Sequence, residues 1–247
     1  MGLARALSKL GYCSRSAAFR LIGKGRVTVN GTIQRDPERP VNWQRDRIEV
    51  EGRTTAAPAK IYLMLNKPRG VVTTASDEKG RKTVYAGLDR NLPWLGPVGR
   101  LDKASEGLLL LTNDTDWAAR VLAPETHLDK TYHVQIATVA NDDLLTALVR
   151  GMASEGKILR AKAARLLRSG GKKSWLEIVL DEGKNRQIRR MLAAHEIEVL
   201  RLVRVAIGPL QLGELSKGGS RLLTNEEKQG LDAAMKIAYK NRTSRKN

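Results

Sequence analysis

The stretch Gly99-Arg-Leu-Asp-Lys-Ala-Ser-Glu-Gly-Leu-Leu-Leu-Leu-Thr-Asn-Asp114 runs from a short polar loop into an unbroken apolar segment. The apolar segment, residues 107–112, predicts a β-strand. The loop before it carries Asp102 between two basic neighbours, Arg100 and Lys103. A carboxylate at the mouth of a sheet can act as a nucleophile or general base. A loop aspartate that binds a backbone N–H or a nearby arginine is the more common case, so spacing alone leaves both interpretations open.

The N-terminal region is basic, since its first 35 residues contain seven Lys or Arg and no acidic residue. Apolar residues recur at helical spacing from Leu3 to Leu10, and Ser14 is a suitable N-cap for a second helix. Asn30-Gly31 lies between two alternating strands and predicts a type I′ hairpin. Residues 1–52 are therefore expected to form a small module, followed by a linker at 53–60.

The rest of the chain mixes strand and helix patterns, which favours an α+β fold with a mostly antiparallel, mixed sheet. Residues 61–235 are expected to form this larger domain, and residues 236–247 a basic tail. The predicted strands span 61–65, 71–74, 107–112, 130–137, 158–167, 174–180 and 199–207, and the predicted helices span 115–123, 142–150 and 187–195.

The composition indicates a polyanionic partner. Lys and Arg number 44 against 26 acidic residues, which gives a net charge of +18. Each basic side chain placed near a phosphate releases a counterion and so favours nucleic-acid binding. The single cysteine, Cys13, and the three histidines lack the spacing of a metal site, and no glycine-rich phosphate loop is present. We therefore expect no metal, no nucleotide cofactor and no other cofactor.

The sequence contains no apolar run near the ~20 residues that a membrane helix needs, so no membrane partner is expected. A single cysteine fits a reducing cytoplasm, which is the expected location. The basic, Ser- and Ala-rich N-terminus also resembles an organelle transit peptide. We favour this alternative less, because that stretch continues directly into the predicted hairpin.

A second candidate segment, Lys130-Thr-Tyr-His-Val-Gln-Ile136, alternates as a strand. Alternation places Tyr132 on the face shared with Val134 and Ile136. A half-buried core tyrosine is the ordinary interpretation of this pattern. The functional alternative is a ring that stacks on a base, which contributes ~1–3 kcal/mol per base.

A third segment, Asp181-Glu-Gly-Lys-Asn-Arg-Gln-Ile-Arg-Arg-Met191, predicts a basic helix with Asn185 as its cap. Arg186, Arg189 and Arg190 stand at i, i+3 and i+4, so we expect them to share one face. That face is either solvated or in contact with phosphate, and the sequence leaves both possibilities open.

These segments together resemble the RsuA-type pseudouridine synthases, which modify ribosomal RNA in bacteria. The motifs G-R-L-D-x-x-S-x-G-L-L-L-L-T-N-D and E-G-K-N-R-Q-I-R-R-M are followed by L-x-R-x-x-I-G-P at 202–209, and the turn Asn66-Lys-Pro-Arg-Gly70 is also typical. The resemblance covers residues 60–225. The stretch R-S-A-A-F-R-L-I-G-K-G-R-V-T-V-N-G at 15–31 resembles the alpha-L RNA-binding module that often precedes this catalytic domain.

The resemblance implies a role for individual residues. Asp102 would be the catalytic carboxylate, Tyr132 would hold the flipped uracil, and Leu202 would pack beneath it. Arg189 would be the basic partner that orients Asp102 and favours its charged form. The residues expected to bind substrate RNA are Arg100, Lys184, Arg186 and Arg190 in the larger domain, and Arg5, Arg15, Arg20, Lys24 and Arg26 in the RNA-binding module.

The implied activity is isomerisation of a specific uridine to pseudouridine, with ribosomal RNA or a pre-ribosomal particle as the partner and a monomer as the default state. Residues 77–83 and 105–109 look more like large-subunit members, so large-subunit RNA is slightly favoured. The main alternative is a non-catalytic ribosomal-RNA-binding or ribosome-assembly factor. A DNA-binding protein is a second alternative, disfavoured because no recognition-helix motif is present.

Overall fold

The structure is a computed structural model that describes residues 1–55, 59–75, 77–89 and 91–243, without the side chains of 236–243. In the N-terminal module, two helices pack on a small sheet with strand order β2-β1-β3-β4. The elements are α1 (Leu3–Lys9), α2 (Arg15–Gly23), β1 (Val27–Val29), β2 (Thr32–Gln34), β3 (Ile48–Val50) and β4 (Arg53–Thr54).

Local sequence signals account for this module. The Ser14 hydroxyl accepts a hydrogen bond from the Ala17 amide at 3.1 Å, which confirms the predicted N-cap. Asn30 and Gly31 both have positive φ, 52° and 81°, as a type I′ turn requires. The module also buries its own hydrophobic core, built from both helices and the strands β1 and β3. It therefore has the anatomy of a separate folding unit.

The larger domain contains a nine-stranded sheet in the described residues, with the order β11-β12-β8-β13-β7-β5-β15, while β14 pairs with β13 and β6 with β7. The β13–β7 pair is parallel and the other pairs are antiparallel, which confirms the predicted α+β class with a mixed sheet. The elements are β5 (Tyr62–Lys67), β6 (Gly96–Val98), β7 (Glu106–Thr112), α3 (Thr115–Leu122), β8 (Lys130–Ile136), α4 (Asp142–Arg150), β9 (Met152–Ser154), β10 (Lys157–Leu159), β11 (Ala163–Gly170), β12 (Lys173–Leu180), α5 (Gln187–Ala193), β13 (Val199–Ile207), β14 (Leu210–Gln211), β15 (Ser220–Leu222) and α6 (Asn225–Thr243).

Several predicted boundaries were wrong. The strand expected at 71–74 is a single bridge between Val72 and Thr83. The strand expected at 158–167 is divided between β10 and β11. Arg53–Thr54 pairs with β3 instead of starting the linker, and residues 56–58 of that linker lie outside the described residues.

The C-terminal end also differs from the expectation of a separate basic tail from residue 236. Helix α6 continues to Thr243, and residues 244–247 lie outside the described part of the chain. None of the helices in the described residues combines the length and the apolarity that crossing a bilayer demands.

Strand β7 is buried on both faces, which explains its four consecutive leucines. Leu108 and Leu110 pack into a cluster with α3 and α6, whereas Leu109 and Leu111 face a second cluster that includes Leu101. The strand thus joins two halves of the core, and it holds the end of the loop that carries Asp102.

Gly107 allows β7 to approach β13 closely. Its φ is +103°, and a Cβ built at this position would lie 2.2 Å from the carbonyl oxygen of Arg204. A side chain would therefore push the two parallel strands apart. This contact sets the spacing between the Asp102 loop and the part of β13 that carries Leu202.

Candidate active site

A cleft of about 590 Å³ lies between the loop before β7 and the loop before α5, over the strands β8 and β13. Six of the site residues predicted from the sequence line it: Arg100, Asp102, Tyr132, Lys184, Arg186 and Leu202. The fold therefore brings together residues that are up to 102 positions apart in the sequence.

Lys67, which is fully buried at the end of β5, holds the Asp102 loop in place. Its ammonium donates hydrogen bonds to the carbonyl oxygens of Pro68 (3.1 Å), Asp102 (3.1 Å) and Ser105 (2.8 Å). Burial lowers the pKa of Lys67 to about 8, and the nearby negative charges of Asp102 and Glu106 partly offset this shift. All three donors of the ammonium are used within the protein, so Lys67 positions the loop.

Sequence reasoning assigned no role to Lys67, although the turn that contains it was recognised as typical. The available signal was a lysine at the end of an apolar strand, where a charged side chain must find partners if it is buried. Which carbonyls it contacts depends on the tertiary structure, because Asp102 and Ser105 follow 35 and 38 residues later.

Tyr132 and Leu202 form part of the cleft floor. Val134 and Ile136 are fully buried on the face that Tyr132 shares, as the strand alternation predicted. In the β8–β13 ladder, Arg204 stands opposite Tyr132, and Leu202 stands opposite Val134. Tyr132 and Leu202 are therefore diagonal neighbours on one face. Tyr132 packs against the cluster formed by β8, β12 and α5 and against the cluster that includes Leu101, so it lies between these two parts of the core.

The ion pair of Asp102 is formed with Arg186, not with Arg189 as the resemblance implied. Arg186 Nη1 lies 3.5 Å from Asp102 Oδ2, and both side chains remain partly exposed. The guanidinium of Arg189 is turned to the protein instead and donates to the carbonyl oxygens of Val199 (3.2 Å) and Ala104 (3.3 Å). Arg189 thus acts on Asp102 at longer range and holds the loop next to it in place.

Burial lowers the pKa of Arg189, and the neighbouring positive charge of Arg186 lowers it further, while Asp102 raises it. These influences show that the two guanidinium groups and the carboxylate form one electrostatic cluster. The cluster carries more positive than negative charge, which suits the entry of an anionic substrate.

The predicted basic face of α5 is split. Arg190 points away from the cleft toward β9, where its guanidinium donates to the carbonyl oxygen of Ser154 at 3.0 Å and pairs with Glu155 at 2.9 Å. The predicted substrate contact by Arg190 therefore has no support from its position. Arg186 and Arg189 instead contact the loop before β7. The prediction from helical spacing that all three arginines share one face was therefore wrong.

The start of α5 also differs from the prediction of an Asn185 cap. Arg186 occupies the cap position in the left-handed conformation, with φ 49° and no side-chain cap. The buried side chain of Gln187 organises the turn instead, by donating to the Arg160 carbonyl oxygen and to Glu182 Oε1, both at 2.9 Å. Sequence reasoning missed Gln187, which joins the loop before α5 to Arg160 in the loop before β11.

The basic residues predicted for the N-terminal module are all at its surface: Arg5, Arg15, Arg20, Lys24 and Arg26. Arg26 forms an ion pair with Glu51 at 2.8 Å, whereas the other four have no ion-pair partner among the described residues. Unpaired surface cations of this kind are available to phosphate groups.

Comparison with known proteins agrees with this geometry. The family model for RNA pseudouridylate synthases matches residues 61–194, and the model for the S4 domain matches residues 1–48. Ribosomal large subunit pseudouridine synthase B from Bacillus subtilis (strain 168) is 39% identical over 235 residues, which cover 94% of this chain and 95% of that protein. An uncharacterized RNA pseudouridine synthase from Aquifex aeolicus (strain VF5) is 38% identical over 235 residues and 94% of each chain.

The fold comparison gives the same result. A crystal structure of a pseudouridylate synthase superposes with a TM-score of 0.66 at 31% identity, over 94% of this chain and 99% of that chain. The match includes both the N-terminal module and the larger domain. The chain therefore belongs to the RNA pseudouridylate synthase family, and it carries an S4 domain ahead of its catalytic domain.

Proposed function

We propose that this enzyme isomerises a specific uridine of ribosomal RNA, in the large subunit rather than the small one. The name of the Bacillus subtilis relative supports the choice of large-subunit RNA. The S4 domain and the net charge of +18 support a large RNA partner. We further propose that it acts on free RNA or a pre-ribosomal particle as a cytoplasmic monomer, without a nucleotide cofactor.

One observation carries the catalytic assignment: the carboxylate of Asp102 faces the cleft next to Arg186, above the floor formed by Tyr132 and Leu202. Its side chain is 35% exposed, so a substrate can reach it. In the reaction, the C1′–N1 bond of uridine breaks and C1′ rejoins at C5. Asp102 would attack the sugar or assist the departure of the base, while Tyr132 holds the uracil by stacking.

The target base must leave its helical stack to enter such a cleft, which costs a few kcal/mol. Contacts of Arg100, Lys184 and Arg186 with the RNA backbone would offset this cost. Their side chains border the same cleft as Asp102, so phosphates on either side of the extruded nucleotide are within their range.

Replacement of Asp102 by Asn tests the proposal, because it keeps the shape of the side chain and removes its charge. Full-length protein would be incubated with an unmodified large-subunit RNA transcript labelled with tritium at uridine C5, since isomerisation releases that hydrogen. We expect Asp102→Asn to lower tritium release by roughly 10³-fold or more and to bind RNA like wild type. The matched control is Asp143→Asn on the surface of α4, which should keep the wild-type rate.

An Asp102→Asn enzyme with the wild-type rate would contradict the catalytic assignment of Asp102. Absence of tritium release from the wild-type protein would instead favour the non-catalytic alternative, an RNA-binding or assembly factor. The subunit assignment has its own test with small-subunit RNA under the same conditions. Faster release from small-subunit RNA than from large-subunit RNA would reverse that part of the proposal and leave the catalytic part intact.

A further inference from the structure

We propose that Lys130 and Arg204 form a second functional subsite in the cleft, which binds the oxygen atoms of the detached uracil and stabilises its negative charge. The proposal rests on the proposed function and concerns residues for which the sequence motifs suggested no role. Both side chains line the same cleft as Asp102.

Arg204 is a buried cation with an unused donor. Its side chain belongs to β13, and the residue is only 6% exposed. Nε donates to the Leu108 carbonyl oxygen at 2.8 Å, but Nη2 is buried and has no hydrogen-bond partner among the described residues. A buried guanidinium nitrogen without an acceptor is costly, so its presence beside a cleft indicates an acceptor that arrives with the substrate.

Lys130 is the second cation of the subsite. It is partly buried, and its ammonium makes no hydrogen bond or ion pair with any residue that the structure describes. The adjacent Asp129 is bound by Lys162 at 2.7 Å, and Asp181 lies 3.7 Å from the ring of His127. Burial lowers the pKa of Lys130 and the positive charge of Arg204 lowers it further, while the negative charges of Asp129 and Asp181 raise it.

The strand register places both cations beside the proposed base platform. Lys130 precedes Tyr132 by two residues, so it lies on the same face about 7 Å farther along β8. Arg204 stands directly opposite Tyr132 on β13. A uracil that stacks on Tyr132 therefore has these two donors at its edge, on the floor of the cleft, whereas the backbone phosphates of an extruded nucleotide remain near the rim.

The chemistry of the reaction requires such donors. When the C1′–N1 bond breaks, its electron pair stays on the uracil, whose negative charge is shared among N1, O2 and O4. C5 then forms the new bond to C1′, the proton on C5 is released, and N1 takes up a proton, so the atoms and the charge balance. Cations fixed near O2 or O4 stabilise the charge as it develops, in a partly desolvated site where such interactions are strong.

The test replaces Lys130 with Gln, which has a similar length but no charge, and compares it with Lys173→Gln on the exposed β11–β12 hairpin. Tritium release from large-subunit RNA would be followed with enzyme in saturating excess. We expect Lys130→Gln to lower the maximal rate by roughly 100-fold or more, as for the loss of one charge-stabilising donor. The dissociation constant for RNA and its salt dependence should stay within about twofold of wild type, and Lys173→Gln should match wild type in both.

Two results would overturn the proposal. Weaker RNA binding with a smaller salt dependence, at an unchanged maximal rate, would assign Lys130 to a phosphate contact. A rate within twofold of wild type for both Lys130→Gln and Arg204→Gln would rule out the proposed subsite, provided that a cooperative thermal unfolding transition shows both variants to be folded. Neither result affects the proposed function, which fails if the wild-type enzyme releases no tritium from ribosomal RNA.

Discussion

The loop before β7 has two sides that differ in how completely their polar groups are paired. On the rear side, Lys67 donates to three carbonyl oxygens, and Glu106 is bound by Arg201 (3.1 Å) and Lys217 (2.9 Å). On the cleft side, Asp102 has one guanidinium at 3.5 Å, as described above, and the cations of the proposed subsite have unused donors.

The difference shows how one short motif serves both structure and chemistry. Asp102 and Glu106 are four residues apart, yet the side chain of Glu106 is 4% exposed and that of Asp102 is 35% exposed. Saturated contacts on the rear side hold the loop in one geometry. Unsaturated groups on the cleft side are available to a substrate. Variants of the two sides should therefore change different properties.

The largest effect is expected for Lys67→Met on the rear side. The substitution keeps the length of the side chain but leaves three carbonyl oxygens without their donor. We expect a loss of about 3–5 kcal/mol in the free energy of unfolding, because each buried acceptor left without a donor costs ~1–3 kcal/mol. Urea unfolding measures it, with the exposed Lys79→Met as a control, and a loss below about 1 kcal/mol would contradict the anchoring role.

Gly107→Ala should be the next most damaging change. The added methyl group would collide with the Arg204 backbone, and the left-handed φ of +103° disfavours alanine. We expect a loss of roughly 3 kcal/mol in the free energy of unfolding from overpacking and backbone strain together. Gly156→Ala is a control for strain alone, because its φ is +71° and no atom lies within 4 Å of the added Cβ. Equal losses for both variants would show that the close approach of β7 and β13 is unimportant.

Glu106→Gln should change stability in a pH-dependent way. Burial raises the pKa of Glu106, but the hydrogen bonds and charges of Arg201 and Lys217 outweigh it, so the pKa lies below its ordinary value. A carboxylate with a lowered folded-state pKa stabilises the fold above its unfolded pKa of about 4.3, and this contribution is lost as the pH falls through the folded-state pKa.

At pH 7 we therefore expect Glu106→Gln to lose about 1–2 kcal/mol in the free energy of unfolding, a moderate value because both basic partners are partly exposed. The loss should shrink as the pH falls below about 4.3. Urea unfolding from pH 7 to pH 3 measures this trend. A difference between wild type and variant that is independent of pH would contradict the electrostatic explanation.

The smallest effect on stability is expected on the cleft side, for Arg186→Gln. Its ion pair with Asp102 is partly exposed, and such pairs contribute ~0.2–1 kcal/mol. We expect little change in unfolding but a severalfold lower rate of pseudouridine formation. Arg190→Gln is the matched comparison within the same motif, because its partners Ser154 and Glu155 lie away from the cleft. Equal rates for the two variants would contradict the distinction between these arginines.

Much of the secondary structure followed from local sequence signals. Ser14 and the turn at Asn30-Gly31 act within three or four residues of themselves, and the structure bears out both of them. The prediction failed at Asn185, where the buried amide of Gln187 ties distant loops together and no side-chain cap forms. Local preference decided the first group, and tertiary contacts overrode it in the second.

The sequence by itself determined the fold class, the family resemblance and six of the residues that line the cleft, because these depend on short-range patterns and ordered motifs. Only the tertiary structure decided which arginine contacts Asp102, that Lys67 holds its loop, and that Arg204 has an unused donor. The physical reason is distance along the chain. Lys67 and Arg204 take their partners from β7 and from the segment between β5 and β7, up to 96 residues away, and side-chain spacing within one helix or strand carries no information about such contacts.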